Sequence, residues 1–118
     1  MIGIDIAKVD RFDEPLLNKI ALPNEIKYIN KTSSQKLIKQ KIASLFSVKE
    51  AVMKALGLGK ESEVSFKDIE LLHDESGKPY VNLHGRALEQ KEKLYKNKSI
   101  EISISHESDV VVAVAIII

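Results

Sequence analysis

The chain has 118 residues, 44% of them hydrophobic and 30% charged, with a formal net charge of +1 and no cysteine. That length supports one core, so a single domain over residues 1–118 is expected, and the composition excludes a disordered chain. The near-neutral balance gives no general affinity for nucleic acid, and the lack of cysteine excludes disulfides, thiolate metal sites and cysteine nucleophiles, which suits a reducing cytoplasm.

Ile2, Ile4 and Ile6 alternate with Gly3, Asp5 and Ala7, the period of a half-buried strand, so Asp5 points away from the isoleucine face. No signal peptide is expected, because Asp5 stands where its basic region would be. A helix follows from Asp10 or Asp13 to Ile20, since either aspartate can cap it and Pro15 suits a first turn. Leu22-Pro23-Asn24 interrupts, and a second short helix covers Glu25 to Asn30. Ser33 or Ser34 caps a long helix from Gln35 to Leu56, and Gly57 and Gly59 bracket its end, where positive φ is wanted. Beyond Gly59, Val64–His73 and Lys78–Leu83 flank the hairpin loop Asp74-Glu75-Ser76-Gly77. Gly85 to Lys96 forms a polar surface helix. Ser99–His106 alternates with Ile100, Ile102 and Ile104 on one face, and Val110–Ile118 is a strand with no polar face. Both sides of that strand need covering. It is too short to cross a bilayer as a helix, and no membrane association is expected.

On the long helix the apolar positions Ile38, Ile42, Leu45, Phe46, Val52, Met53 and Leu56 form one stripe, with Glu50 and Lys54 four apart at its edge. Lys49 falls near the middle of the stripe, so it must snorkel out or meet something negative. Asp5 on the first strand can meet Glu50 and Lys54. Two carboxylates with substrate phosphates are a usual setting for Mg²⁺, and a nearby lysine suits a departing phosphate. His106 closes its strand at a turn and is a candidate phosphate contact. Each residue also has a plainer reading. Asp5 can close a turn, Glu50 and Lys54 are an ordinary helix-surface pair, and the two glycines can serve as caps.

Taken in order, the pieces Gly3-Ile4-Asp5-Ile6, Arg11-Phe12, Phe46-Ser47-Val48-Lys49-Glu50-Ala51, Lys54-Ala55-Leu56-Gly57, Phe66-Lys67-Asp68-Ile69-Glu70, Gly77-Lys78-Pro79 and Ser103-Ile104-Ser105-His106-Glu107 resemble the holo-acyl-carrier-protein synthases. These are small bacterial 4′-phosphopantetheinyl transferases, and the resemblance spans nearly the whole chain. It implies an α+β fold, with an antiparallel sheet packed on one long helix and three subunits sharing active sites between them. It also implies transfer of 4′-phosphopantetheine from coenzyme A to a serine of apo acyl carrier protein, with Mg²⁺ as cofactor and adenosine 3′,5′-bisphosphate as product.

By motif, Asp5 and Glu50 match the metal ligands, and Glu50 and Lys54 the catalytic pair. Lys49, Lys54, Gly57, Gly59 and His106 match the coenzyme A contacts, and Lys8 and Arg11 the side that docks the acidic carrier. Two positions depart from the pattern: Leu45 stands where many members have arginine, and Leu58 where many have threonine. The rival reading is a non-catalytic oligomeric interaction module, which explains the apolar last strand but leaves Asp5, Glu50 and Lys49 as coincidences. Transferases for peptide or polyketide synthase carriers are commonly about twice this length with two pseudo-repeats, and no repeat is present here.

Overall fold

The computed structural model describes residues 1–118 apart from the side chain of Lys60. In chain order the elements are β1 (Ile2–Lys8), α1 (Glu14–Ile20), α2 (Pro23–Asn30), α3 (Gln35–Leu56), β2 (Ile69–His73), β3 (Pro79–Leu83), α4 (Gly85–Leu94), β4 (Ile100–Glu107) and β5 (Val110–Ile117). β1, β5 and β4 form one antiparallel sheet in that order, and β2 pairs antiparallel with β3 in a second. α3 lies across the three-stranded sheet, giving the expected α+β architecture. Among the described residues no helix is long and apolar enough to cross a membrane.

The long helix has the bounds its caps dictate. Ser34 Oγ accepts from Leu37 N at 3.4 Å, and Gly57 ends the helix at φ 71°. Gly59 differs from expectation. Its φ is −90°, an extended conformation open to any residue, and its own constraint is Glu61 Oε2, 2.9 Å from where a Cβ would sit. Of the two candidate caps for α1, Asp13 serves, accepting from Leu16 N at 3.2 Å, while Asp10 lies in a separate short turn, Val9–Arg11. α2 starts two residues earlier than expected because Pro23 fits its first turn. β2 begins at Ile69 rather than Val64. Asp68 Oδ2 accepts from Ser65 N and Ser65 Oγ accepts from Lys67 N around a tight turn at Phe66–Asp68, which delays extension. α4 stops at Leu94, shortly before Asn97 turns left-handed at φ 67°.

Side-chain alternation sorts the main sheet into two unlike faces. Gly3, Asp5 and Ala7 share the inner face with Val111, Ala113 and Ala115, and these small residues let α3 lie close. Ile100, Ile102 and Ile104 complete that face, partly buried against the core. The isoleucines of β1 are on the outer face. Ile2, Ile4 and Ile6 are 67%, 59% and 66% exposed, beside Val112, Val114 and Ile116. Asp5 does point away from them, and it is the Asp5 side that is covered.

Candidate active site

Gly3 sets the distance between β1 and α3. A Cβ there would fall 2.0 Å from Ala51 O and 2.6 Å from Ala55 N, so no other residue allows the strand to rest against the helix backbone. Two residues on, Asp5 meets the helix side chains. Lys54 Nζ donates to Ile4 O at 3.0 Å and to Asp5 Oδ1 at 3.2 Å. The lysine is half exposed, whereas the Asp5 side chain is 14% exposed. Glu50, one turn before Lys54, is half buried. Its carboxyl is pushed above the usual carboxylate range by burial first and by the Asp5 charge second, with Lys54 opposing. Asp5 Oδ2 is buried and has no hydrogen-bond partner among the described residues.

Among the described residues no third His, Cys, Asp or Glu joins this pair. Two carboxylates, one with a buried oxygen unpartnered among the described residues and the other crowded by its neighbour's charge, suit a hard divalent cation whose other ligands are water and substrate phosphate. A cation between them would remove the repulsion that raises Glu50. The donor set therefore fits Mg²⁺.

Lys49 corrects the expectation that it contacts coenzyme A. It is fully buried, and its three donors are spent inside the chain: Ile20 O at 2.8 Å, Glu25 Oε1 at 2.9 Å and Phe66 O at 2.9 Å. Burial lowers its pKa, and Glu25 offsets that by charge and hydrogen bond. Glu25 is itself 2% exposed and accepts also from Leu22 N and Leu71 N, both at 2.7 Å, so this ion pair ties α2, α3 and β2 together. A negative partner was required by the sequence, but which one was not evident. The available signal was Glu25 standing four residues before Ile29, on the buried face of α2.

His106 is exposed and lies elsewhere, at a cavity of about 250 Å³ whose lining includes Tyr28, Lys41, Ser44, Leu45 and His73. Tyr28 and His73 stack with centroids 4.2 Å apart, and Lys41 Nζ sits 4.7 Å from the Tyr28 centroid. Burial, followed by the Lys41 charge, lowers the His73 pKa, with Asp74 opposing. Lys41 and Glu50 are nine residues apart. At about 100° per residue that places them on opposite sides of α3, roughly 13 Å apart along its axis. Within one chain, then, His106 and the Asp5–Glu50–Lys54 cluster do not meet. Gly57 lies three residues after Lys54, at the same end of the helix as the cluster. Lys8, at the end of β1, and Arg11, in the turn after it, are both exposed, and Arg11 stands 5.4 Å from the Phe12 ring centroid.

An inner-face aspartate against a helical Glu–Lys pair, on this arrangement of sheet and helix, defines a class for which direct relatives exist. Residues 1–115 match the family model described as the 4′-phosphopantetheinyl transferase superfamily. The chain belongs to that superfamily. It is 39% identical to the holo-[acyl-carrier-protein] synthase of Clostridium tetani, over 98% of this chain and 93% of that one. It is 42% identical to the synthase of the same name from Caldicellulosiruptor saccharolyticus, with the same coverage. Among solved structures, the Helicobacter pylori holo-[acyl-carrier-protein] synthase in complex with coenzyme A is similar over the whole of both chains, with a TM-score of 0.78 and 30% identity.

Proposed function

We infer that this protein is a holo-[acyl-carrier-protein] synthase, which transfers 4′-phosphopantetheine from coenzyme A to a serine of apo acyl carrier protein and releases adenosine 3′,5′-bisphosphate. The curated relatives span nearly the whole chain and carry that name, and a structural relative binds coenzyme A. The observation that carries the site assignment is Asp5 Oδ2, a buried oxygen left without a partner beside the raised Glu50 carboxyl.

In the proposed reaction the carrier serine hydroxyl attacks the phosphorus next to the pantetheine arm, and the bond from that phosphorus to the bridging diphosphate oxygen breaks. Mg²⁺, held by Asp5 and Glu50, would supply charge neutralisation at the diphosphate. Lys54 leans on Asp5 and Ile4 O yet remains half exposed, so its ammonium can reach the leaving phosphate and stabilise the charge appearing there. Glu50 is the candidate acceptor of the serine proton, directly or through a water. Lys41 offers positive charge and His106 a ring nitrogen to the nucleotide end, where Leu45 supplies neither. Gly57 and Gly59 would allow the helix end to approach the substrate, and Lys8 with Arg11 would dock the acidic carrier.

The protein is proposed to act as a homotrimer in the cytoplasm. Two features support the assembly: the exposed isoleucine face of β1, and the separation of His106 from the carboxylate cluster, which a neighbouring copy could close. An interaction module without catalysis would need the outer face alone and would give no role to the inward carboxylates. Incubation of apo acyl carrier protein with this protein, coenzyme A and Mg²⁺, read by mass spectrometry, tests the reading. A phosphopantetheine-sized gain on one serine, abolished by chelator, is expected. No mass gain would overturn the transferase, and a gain indifferent to chelator would overturn the metal.

A further inference from the structure

Two buried side-chain oxygens lack a hydrogen-bond partner among the described residues: Asp5 Oδ2 and Ser47 Oγ. Ser47 is fully buried in the middle of α3. A buried hydroxyl of that kind costs roughly 1–3 kcal/mol unless it is satisfied, whereas alanine at the same place costs nothing and favours the helix. Its presence calls for a partner that the protein itself does not provide.

Ser47 stands on the β1-facing side of α3. At about 100° per residue it points within roughly 20° of Lys54, between Glu50 on one side and Ala51 and Ala55 on the other. Lys54 reaches Ile4 O and Asp5, and Gly3 rests against Ala51 and Ala55. Along the strand the match continues. Gly3 is level with residues 51–55, and Phe12, after the strand, packs at a tilt of 50° against Phe46 with 5.2 Å between centroids. On a strand rising about 3.3 Å per residue, Asp5 falls between those two anchors, displaced from Gly3 toward the Ser47 end of the contact.

We propose that Ser47 is a positioning residue for the metal site, its hydroxyl holding Asp5 Oδ2 through one shared water. Lys54 already fixes Oδ1, so the carboxylate is held at both oxygens while the second lone pair of Oδ2 stays open to the metal. A water there would draw on Ser47 Oγ and Asp5 Oδ2, with the Glu50 carboxyl beside Asp5 as a third polar group, about the number that buried waters usually find. Fixing a ligand carboxylate from behind in this way typically changes metal affinity by roughly 10–100-fold.

This rests on the reading of Asp5 and Glu50 as metal ligands, and Mn²⁺ titration followed by electron paramagnetic resonance tests the two separately. Asp5→Asn should lose the bound Mn²⁺ signal of the wild type. Ser47→Ala should weaken Mn²⁺ about tenfold or more and keep or raise the melting temperature in chelator. Ser47→Cys, isosteric but a weaker donor, should fall between. In turnover, Ser47→Ala should require more Mg²⁺ for half-maximal rate while leaving the KM for coenzyme A within about twofold. If Ser47→Ala binds Mn²⁺ as tightly as wild type, the positioning role is wrong although the metal site stands. If Asp5→Asn binds as wild type does, the metal reading fails and takes this proposal with it.

Discussion

Gly3→Ala places a single methyl group where the helix backbone already is. The added Cβ would meet Ala51 O at 2.0 Å, about 1 Å inside the closest approach that real Cβ atoms make. Neither Ala51 O nor Ala55 N can rotate aside, as a side chain could, so β1 and α3 must separate. Overpacking of this kind costs roughly 1–3 kcal/mol, and a backbone obstacle puts this case at about 3. For a domain of this size, about 3 kcal/mol lowers the melting temperature by roughly 12 °C. The functional cost is separate. Asp5 moves with β1 while Glu50 and Lys54 stay with α3, and a misplacement of about 1 Å in a catalytic constellation costs on the order of 100-fold. Gly77→Ala, at φ 88° with nothing within 4 Å of its Cβ, is the matched control. It pays only for its left-handed backbone, about 1 kcal/mol, and keeps wild-type turnover. Thermal melts and initial rates of carrier modification decide the matter. Wild-type stability and rate in Gly3→Ala would refute the claim that this glycine sets the strand-to-helix distance.

Lys49→Met strips the ammonium from buried Glu25 and should cost about 3–5 kcal/mol by denaturant unfolding; native stability with a raised KM for coenzyme A would return Lys49 to the substrate site. Glu50 has a folded-state pKa above its unfolded one, so the stability it contributes is present below the unfolded carboxylate pKa and is lost as pH rises through the raised folded value. In chelator, Glu50→Gln should therefore be more stable than wild type at about pH 7, with the gap closing toward about pH 4, while losing transfer activity. A less stable variant at neutral pH would contradict that sign. Lys54→Ala should lower kcat about 100-fold with little change in the KM for coenzyme A, and the reverse pattern would make it a binding residue. Val112→Asp puts a charge on the outer face opposite Ile6 and should give inactive monomers by light scattering; a folded, fully active monomer would refute the assembly.

The strongly periodic segments were legible. Gln35–Leu56 is the expected helix because Ser34 and Gly57 punctuate an uninterrupted apolar stripe, and β4 and β5 fall within a residue of their alternating runs. Asp5, Glu50 and Lys54 come together as expected, since a strand residue facing a helix can meet two residues one turn apart. What stayed hidden were long-range pairings. Lys49 announced that it needed an anion, but the choice of Glu25 depends on how α2 packs, which no local pattern encodes. The inner and outer faces of β1 were separable by alternation, but which side the helix covers was not, because isoleucine is the obvious buried residue. Gly3 decides it, for only the glycine side admits a helix backbone.

That arrangement makes β1 a strand with two obligations. Its odd positions, Gly3, Asp5 and Ala7, serve the helix and the site, while its even positions, Ile2, Ile4 and Ile6, offer three large apolar side chains to whatever covers the sheet. The period of a strand is two, so a slip of one residue would exchange the sets, placing isoleucines against Ala51 and Asp5 in the apolar layer. The clash at the Gly3 position forbids that slip outright. Register is therefore fixed by the helix and not by the isoleucines, which leaves them exposed in one chain and available to the proposed assembly. Covering them would hold β1 from its second side, and the carboxylate on the first side would be steadied by contacts made on the opposite face of its own strand.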